Sequence, residues 1–181
     1  MRILALDVAT RTGYALYDTD RPPSAIFTGH FICDGKGPFE KVASMRHKLP
    51  GILRKQKPDF VAIERPLDRI IQFKKTRRDL LGEEEVASSI NPATVIQLNQ
   101  LKAAAQTIVM GFDIDCCEVA PKTWQTIIPK SVAAKDAKGR ARKYCESLKI
   151  EGATADERDA AVIAIWAAGH AQELKLMQRA S

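Results

Sequence analysis

The sequence predicts a mixed α/β fold in one domain, and three observations carry that reading. Short apolar runs of strand length recur at 3–9 (ILALDVA), 59–64 (DFVAIE) and 113–119 (DIDCCEV). Stretches with helical spacing of apolar residues lie between and after them, giving the order β-β-β-α-β-α-β-α-α. The 181 residues, 45% apolar and 28% charged, suit one folded core and exclude a mainly disordered chain.

Each element has its own justification. Residues 3–9 are apolar except for Asp7, as in a strand buried on both faces. Period two places Ile3, Ala5 and Asp7 on one face and Leu4, Leu6 and Val8 on the other. Thr10 to Gly13 reads as a turn, and 14–19 and 25–32 as strands separated by Arg21-Pro22-Pro23. In 38–56, Phe39, Val42, Met45, Leu49 and Ile52 or Leu53 fall at helical spacing, with Pro50 and Gly51 expected to kink or split the helix. The strand at 59–64 ends in Glu64. A charged stretch from Arg65 to about Asn91 follows and reads as a long basic loop, beyond ordinary connection lengths. Pro92 opens a helix to about Met110, closed by Gly111. After the strand at 113–119 come helical pieces near 121–128 and 135–149, then a last helix from about Ala155 to Met177.

Some classes are excluded at once. No run of about 18 apolar residues exists, so neither a spanning helix nor a membrane partner is expected. The opening MRILALDVAT lacks the apolar stretch of an export signal. Cys33, Cys116, Cys117 and Cys145 have no C-x-x-C spacing, which suits reduced thiols in a cytoplasmic setting.

Four acids stand where an acid is costly. Asp7 lies inside the first strand and Glu64 ends a later one; ionised carboxylates there need a partner or a cation. Asp156 and Asp159, three apart, share one helical face that continues through Ile163, Trp166 and His170. That face packs on the sheet. Each acid also has a structural account: Asp156 suits the positive end of the helix, Glu64 could pair with Arg65, and Asp7 could bond near the turn. Glu157, three residues after Thr154, fits a capping box and is assigned a structural role. Together the four offer the all-oxygen donor set that Mg²⁺ prefers, and paired ions about 3.5–4 Å apart suit phosphodiester cleavage.

The segments ILALDVATRTGYAL, PDFVAIERP and ADERDAAVIAIWA resemble, in order and spacing, the RuvC family of Holliday-junction resolvases, with similarity over roughly residues 2–172. The resemblance implies a ribonuclease H-like fold with a five-stranded mixed sheet flanked by helices. It also implies a homodimer, two Mg²⁺ ions per site with Mn²⁺ able to substitute, and symmetrical nicking of four-way DNA junctions. Asp7 and Glu64 match the family's two strand acids, and Asp156 and Asp159 the pair on its last helix. The implied roles make Asp7 common to both ions, with Glu64 and Asp159 completing the ligands and Asp156 assisting. One departure follows Glu64: the sequence reads Arg65-Pro66-Leu67-Asp68-Arg69, and the first aromatic, where the family commonly has one earlier, is Phe73. The family's cleavage sequence is therefore not carried over, and a divergent or phage-type relative is expected.

The net charge of +6 is unevenly placed. Residues 65–78 and 120–143 together hold thirteen Lys and Arg against two Asp, while the remainder of the chain is net negative. Segregated bases beside a proposed metal site suit a phosphate backbone. The candidate DNA contacts are Arg65, Arg69, Lys74, Lys75, Arg77 and Arg78 in the first run, with Phe73 stacking on a base or anchoring the loop. In the second they are Lys122, Lys130, Lys135 and Lys138. The function expected is a Mg²⁺-dependent, structure-selective DNA endonuclease acting on four-way junctions. The alternatives are a nuclease of the same superfold acting on RNA or other branched DNA, and a branched-DNA-binding module without catalysis.

Overall fold

Residues 1–66, 75–78, 84–87, 91–134 and 136–179 are described by the computed structural model, with the backbone alone at 75–78, 84–87, 172 and 174–179. The strands are β1 (Arg2–Asp7), β2 (Arg11–Asp18), β3 (Phe27–Ile32), β4 (Phe60–Glu64), β5 (Lys75–Arg78), β6 (Glu84–Ala87) and β7 (Asp115–Val119). The helices are α1 (Pro38–Gln56), α2 (Pro92–Met110), α3 (Pro121–Trp124), α4 (Ala137–Ser147) and α5 (Ala155–Arg179). A five-stranded mixed sheet runs in the order β3-β2-β1-β4-β7. β2 is antiparallel to β1 and β3, whereas β1, β4 and β7 run parallel.

The alternation in β1 sorts the core into two layers. Ile3 and Ala5 join Phe60 and Ala62 of β4 beneath α5, which contributes Ala160, Ile163, Ala164 and Ala167. Leu4 and Leu6 join Val61 and Ile63 on the opposite face, beneath α1 and α2. Those helices meet the sheet through Met45, Leu49 and Leu53, and through Leu101, Ala105 and Val109, each set spaced by four. Every fully buried Leu or Ile contributes about 1.5–3 kcal/mol of transfer free energy. Small residues on α5 let its axis lie close to the strands.

Several expectations are corrected. β2 starts at Arg11, so Thr12 and Gly13 belong to a strand and the turn is confined to the residues just before it. α1 stays one helix through Pro50, because Leu49 and Leu53 anchor both sides of the missing N–H in one buried row. The segment read as a long loop contains an antiparallel pair, β5 with β6, in which Arg77 lies opposite Glu85 and Arg78 opposite Glu84. KTRR and EEVA carry no apolar alternation, so nothing in their composition announces strands; the pairing sets opposite charges across from one another. The piece at 121–128 is one α-turn, α3, followed by a 3₁₀ turn at 125–127. α2 keeps its expected ends, with the Asn91 side chain accepting from the Ala93 N–H at 2.9 Å. Among the described residues, no helix is long and apolar enough to cross a membrane.

Candidate active site

Parallel pairing brings the two strand acids together. Ile3 is level with Phe60, and Leu6 with Ile63, so Asp7 and Glu64 end neighbouring strands at the same edge. Both have the parity of Ile3 and Phe60, which turns them toward α5. Across β1, Gly13 is the partner of Asp7. A Cβ on Gly13 would stand 2.2 Å from the carbonyl oxygen of Asp156 and 2.8 Å from the Glu157 nitrogen. Glycine thus lets the first turn of α5 rest on β2 and delivers Asp156 and Asp159 beside Asp7. All four acids line one cleft of about 350 Å³, whose walls include Leu98, Pro121, Trp124 and Lys138.

Their electrostatics show the crowding. Burial, then a hydrogen bond with Glu64, then the charges of Glu64, Asp159 and Asp156 hold the Asp7 carboxyl well above the usual carboxylate range. A hydrogen bond between two carboxyls requires a proton on one of them. Asp159, 8% exposed, is pushed up to about 7 by burial and by Glu64, with Lys138 opposing. The Lys138 Nζ lies 4.0 Å from Asp156 Oδ1 on a side chain that is 68% exposed. The cluster therefore retains protons near neutrality, because protein cations do not balance it.

Other groups fix this arrangement. Trp124, 2% exposed, donates its indole N–H to Glu64 Oε1 at 2.9 Å. Glu157, 4% exposed, accepts from the Ala153 N–H at 2.9 Å and from Thr28 Oγ1 at 3.3 Å, and meets His30 Nδ1 at 2.6 Å. Burial alone would raise its pKa, but these hydrogen bonds, His30 foremost, bring it below the usual value. Glu157 is thus a carboxylate, and His30 Nδ1–H is the donor. The Glu157 N–H donates to Thr154 Oγ1 at 3.2 Å. The structural role read for Glu157 holds, with its carboxylate taking the N–H of Ala153 in place of Thr154 and reaching across to β3.

The expected DNA contacts divide. Lys138 and Arg65 line the cleft. Lys122 and Lys130 are exposed but stand outside its lining. Arg69, Phe73, Lys74 and Lys135 lie outside the described residues, and Lys75, Arg77 and Arg78 fall on β5, described by its backbone alone. Sequence reasoning does not reach Trp124, Gly13 or His30. Local pattern assigns Gly13 to a turn, and no periodicity marks an indole or an imidazole as aimed at a particular acid.

Among the described residues, no group of three or more His, Cys, Asp and Glu side chains is arranged to hold an ion as it stands. Chemically the set fits: four hard oxygen donors share one cleft, and protons supply the positive charge that a dication would otherwise bring.

A five-stranded mixed sheet flanked by helices, with Asp7 and Glu64 at the ends of two inner strands and a long helix laid over them, is the ribonuclease H-like fold. No protein-family model and no curated protein matches the sequence. Solved structures do. Thermus thermophilus RuvC in complex with a Holliday junction substrate is similar, with a TM-score of 0.64 and 12% identity over 96% of each chain. A second Thermus thermophilus RuvC structure gives a TM-score of 0.61 and 16% identity, again over 96% of each chain. The yeast mitochondrial Holliday junction resolvase Ydc2 gives 0.61 and 12% identity over 97% of this chain and 80% of that one.

Proposed function

We propose that the protein is a divalent-cation-dependent, structure-selective DNA endonuclease that resolves four-way junctions by symmetrical phosphodiester hydrolysis. The observation that carries the reading is the convergence of Asp7, Glu64, Asp156 and Asp159 in one cleft, with Asp7 and Asp159 raised by burial and then by neighbouring carboxylates, Glu64 foremost. Support comes from the fold shared along nearly the whole chain with two RuvC structures, one of them solved with a Holliday junction substrate, and with one structure named as a Holliday junction resolvase.

Asp7, Glu64 and Asp159 would hold Mg²⁺, or Mn²⁺ in its place, with Asp156 assisting. Bound there, the ions supply an activated water and stabilise charge on the departing oxygen. The chain's own residues do the rest. Asp159, whose carboxyl burial and Glu64 push up to about 7, would have to lose its proton to serve as a ligand. Lys138 offers an exposed ammonium to a phosphate at the cleft, and Lys122 and Lys130 present further charge to the backbone without reading sequence. Leu98 of α2 narrows the cleft from the side of the second layer.

A homodimer placing two such sites about a twofold axis matches a symmetric junction. Exposed Ile96 and Met110 on α2, and Phe39 on α1, support that helix pair as the interface. Reduced thiols fit a cytoplasmic setting.

The test is incubation with a labelled mobile four-way junction, a flap, a linear duplex and an RNA hairpin, each with and without Mg²⁺. Paired symmetrical nicks in the junction alone, abolished by Asp7→Asn, are expected. Cleavage confined to RNA would move the substrate, and junction binding without any cleavage would leave a binding module.

A further inference from the structure

We infer that Trp124 is a positioning residue for the carboxylate cluster: its indole N–H holds Glu64 in the orientation from which Glu64 binds a cation. The inference deepens the function proposed above and rests on it.

Trp124 closes α3 and is packed in the layer beneath α5 with Val119 and Ile128. Its Nε1 lies 2.9 Å from Glu64 Oε1, and its ring lines the cleft that holds the other three acids. A ring this buried cannot follow a moving carboxylate, so the N–H is a fixed point. Glu64 needs one. It stands at the last position of β4 on a side chain with three rotatable bonds, level with Asp7 on β1. Its hydrogen bond with Asp7 joins it to another candidate ligand, whereas the Trp124 N–H is a donor that a bound cation leaves in place.

The chemistry of the donor matters as much as its position. An indole N–H only donates and carries no formal charge. Arg or Lys at the same place would orient Glu64 equally well, but its positive charge would weaken the pull of the cluster on a dication. A neutral donor orients the carboxylate and leaves its charge available. Hydrogen-bond partners of metal-binding side chains commonly change affinity by about 10–100-fold. The same ring ties the basic 120–143 stretch, through α3, to the acids.

The test replaces Trp124 with benzothienylalanine, whose sulfur stands where the N–H was, and separately makes Trp124→Phe. Mn²⁺ binding to the DNA-free protein is read by electron paramagnetic resonance, alongside the melting midpoint without metal. The isostere is expected to weaken Mn²⁺ binding about 10–100-fold with its midpoint unchanged. Trp124→Phe is expected to weaken it as much while also melting earlier. Junction nicking by the isostere should recover at raised Mn²⁺ toward the wild-type plateau, a split that loss of packing would not produce. Affinity in the isostere within about twofold of wild type overturns the inference and leaves the cation reading standing. Wild-type Mn²⁺ binding that Asp7→Asn does not weaken overturns that reading and this inference together.

Discussion

Replacing Asp159 with Asn should make the cation-free protein more stable at alkaline pH, although it removes a ligand. Asp159 is 8% exposed and its carboxyl is raised from an ordinary 3.8 to about 7. Burial and the Glu64 charge are the main causes. The folded state thus holds this proton more tightly than the unfolded chain. The resulting stabilisation is fully present below about pH 4 and is lost as the pH climbs through about 7. At about 1.36 kcal/mol per pH unit, the interval is worth about 4 kcal/mol, of which about 2–4 survives relaxation of the side chains. Asn keeps the shape of the protonated acid and cannot ionise. Urea denaturation in EDTA should therefore find Asp159→Asn more stable by about 2–4 kcal/mol at pH 8, with the two proteins within about 1 kcal/mol at pH 4. Asp7, also raised, steepens the wild-type dependence in the same sense. Saturating Mg²⁺ at pH 8 should then restore the wild type by about 2.7 kcal/mol at a hundred times its Kd and leave the variant unmoved. Equal stabilities at pH 8, or a difference the same at both pH values, would refute the reasoning.

Further outcomes follow from the same geometry. Gly13→Ala would drive a methyl into the Asp156 carbonyl at 2.2 Å, so α5 must shift; a loss of about 1–3 kcal/mol in urea and a fall in nicking beyond that loss are expected. His30→Ala removes the closest partner of a buried carboxylate and should cost about 1–3 kcal/mol, partly recovered by His30→Gln, as read by thermal melts at neutral pH. Leu101→Ala empties a fully buried site beneath α2 and should cost about 2–5 kcal/mol by urea titration while the cleft stays assembled. Alanine at Lys122, Lys130 or Lys138 should weaken junction binding across sequences and reduce the slope of log affinity against log salt by about 1 for each phosphate no longer neutralised.

Much of this molecule is legible in its sequence because local patterns carry it. The limits of α1 and α2 follow from the apolar spacing in 38–56 and 92–110, with Pro at each start. Alternation in β1 assigns Asp7 to the α5 side and Leu4 and Leu6 to the other. The pair Asp156 and Asp159 could be placed on the sheet-facing stripe by counting along one helix. β5 and β6 are not legible, since KTRR and EEVA show no apolar alternation and their register places Arg77 and Arg78 opposite Glu85 and Glu84.

What the linear order could not contain is which strand lies beside which, and in what register. Period two gives the face of Asp7 and of Glu64 separately; parallel pairing of β1 with β4 makes them neighbours at one edge, and an antiparallel pairing would have sent them to opposite ends. The raised carboxyls, the Trp124 donor and the reach of Glu157 to His30 arise only after that choice, because each is an interaction across elements distant in the chain. Local chemistry chose the helices, the strands and their faces, and long-range packing decided that four repelling acids should share a single cleft.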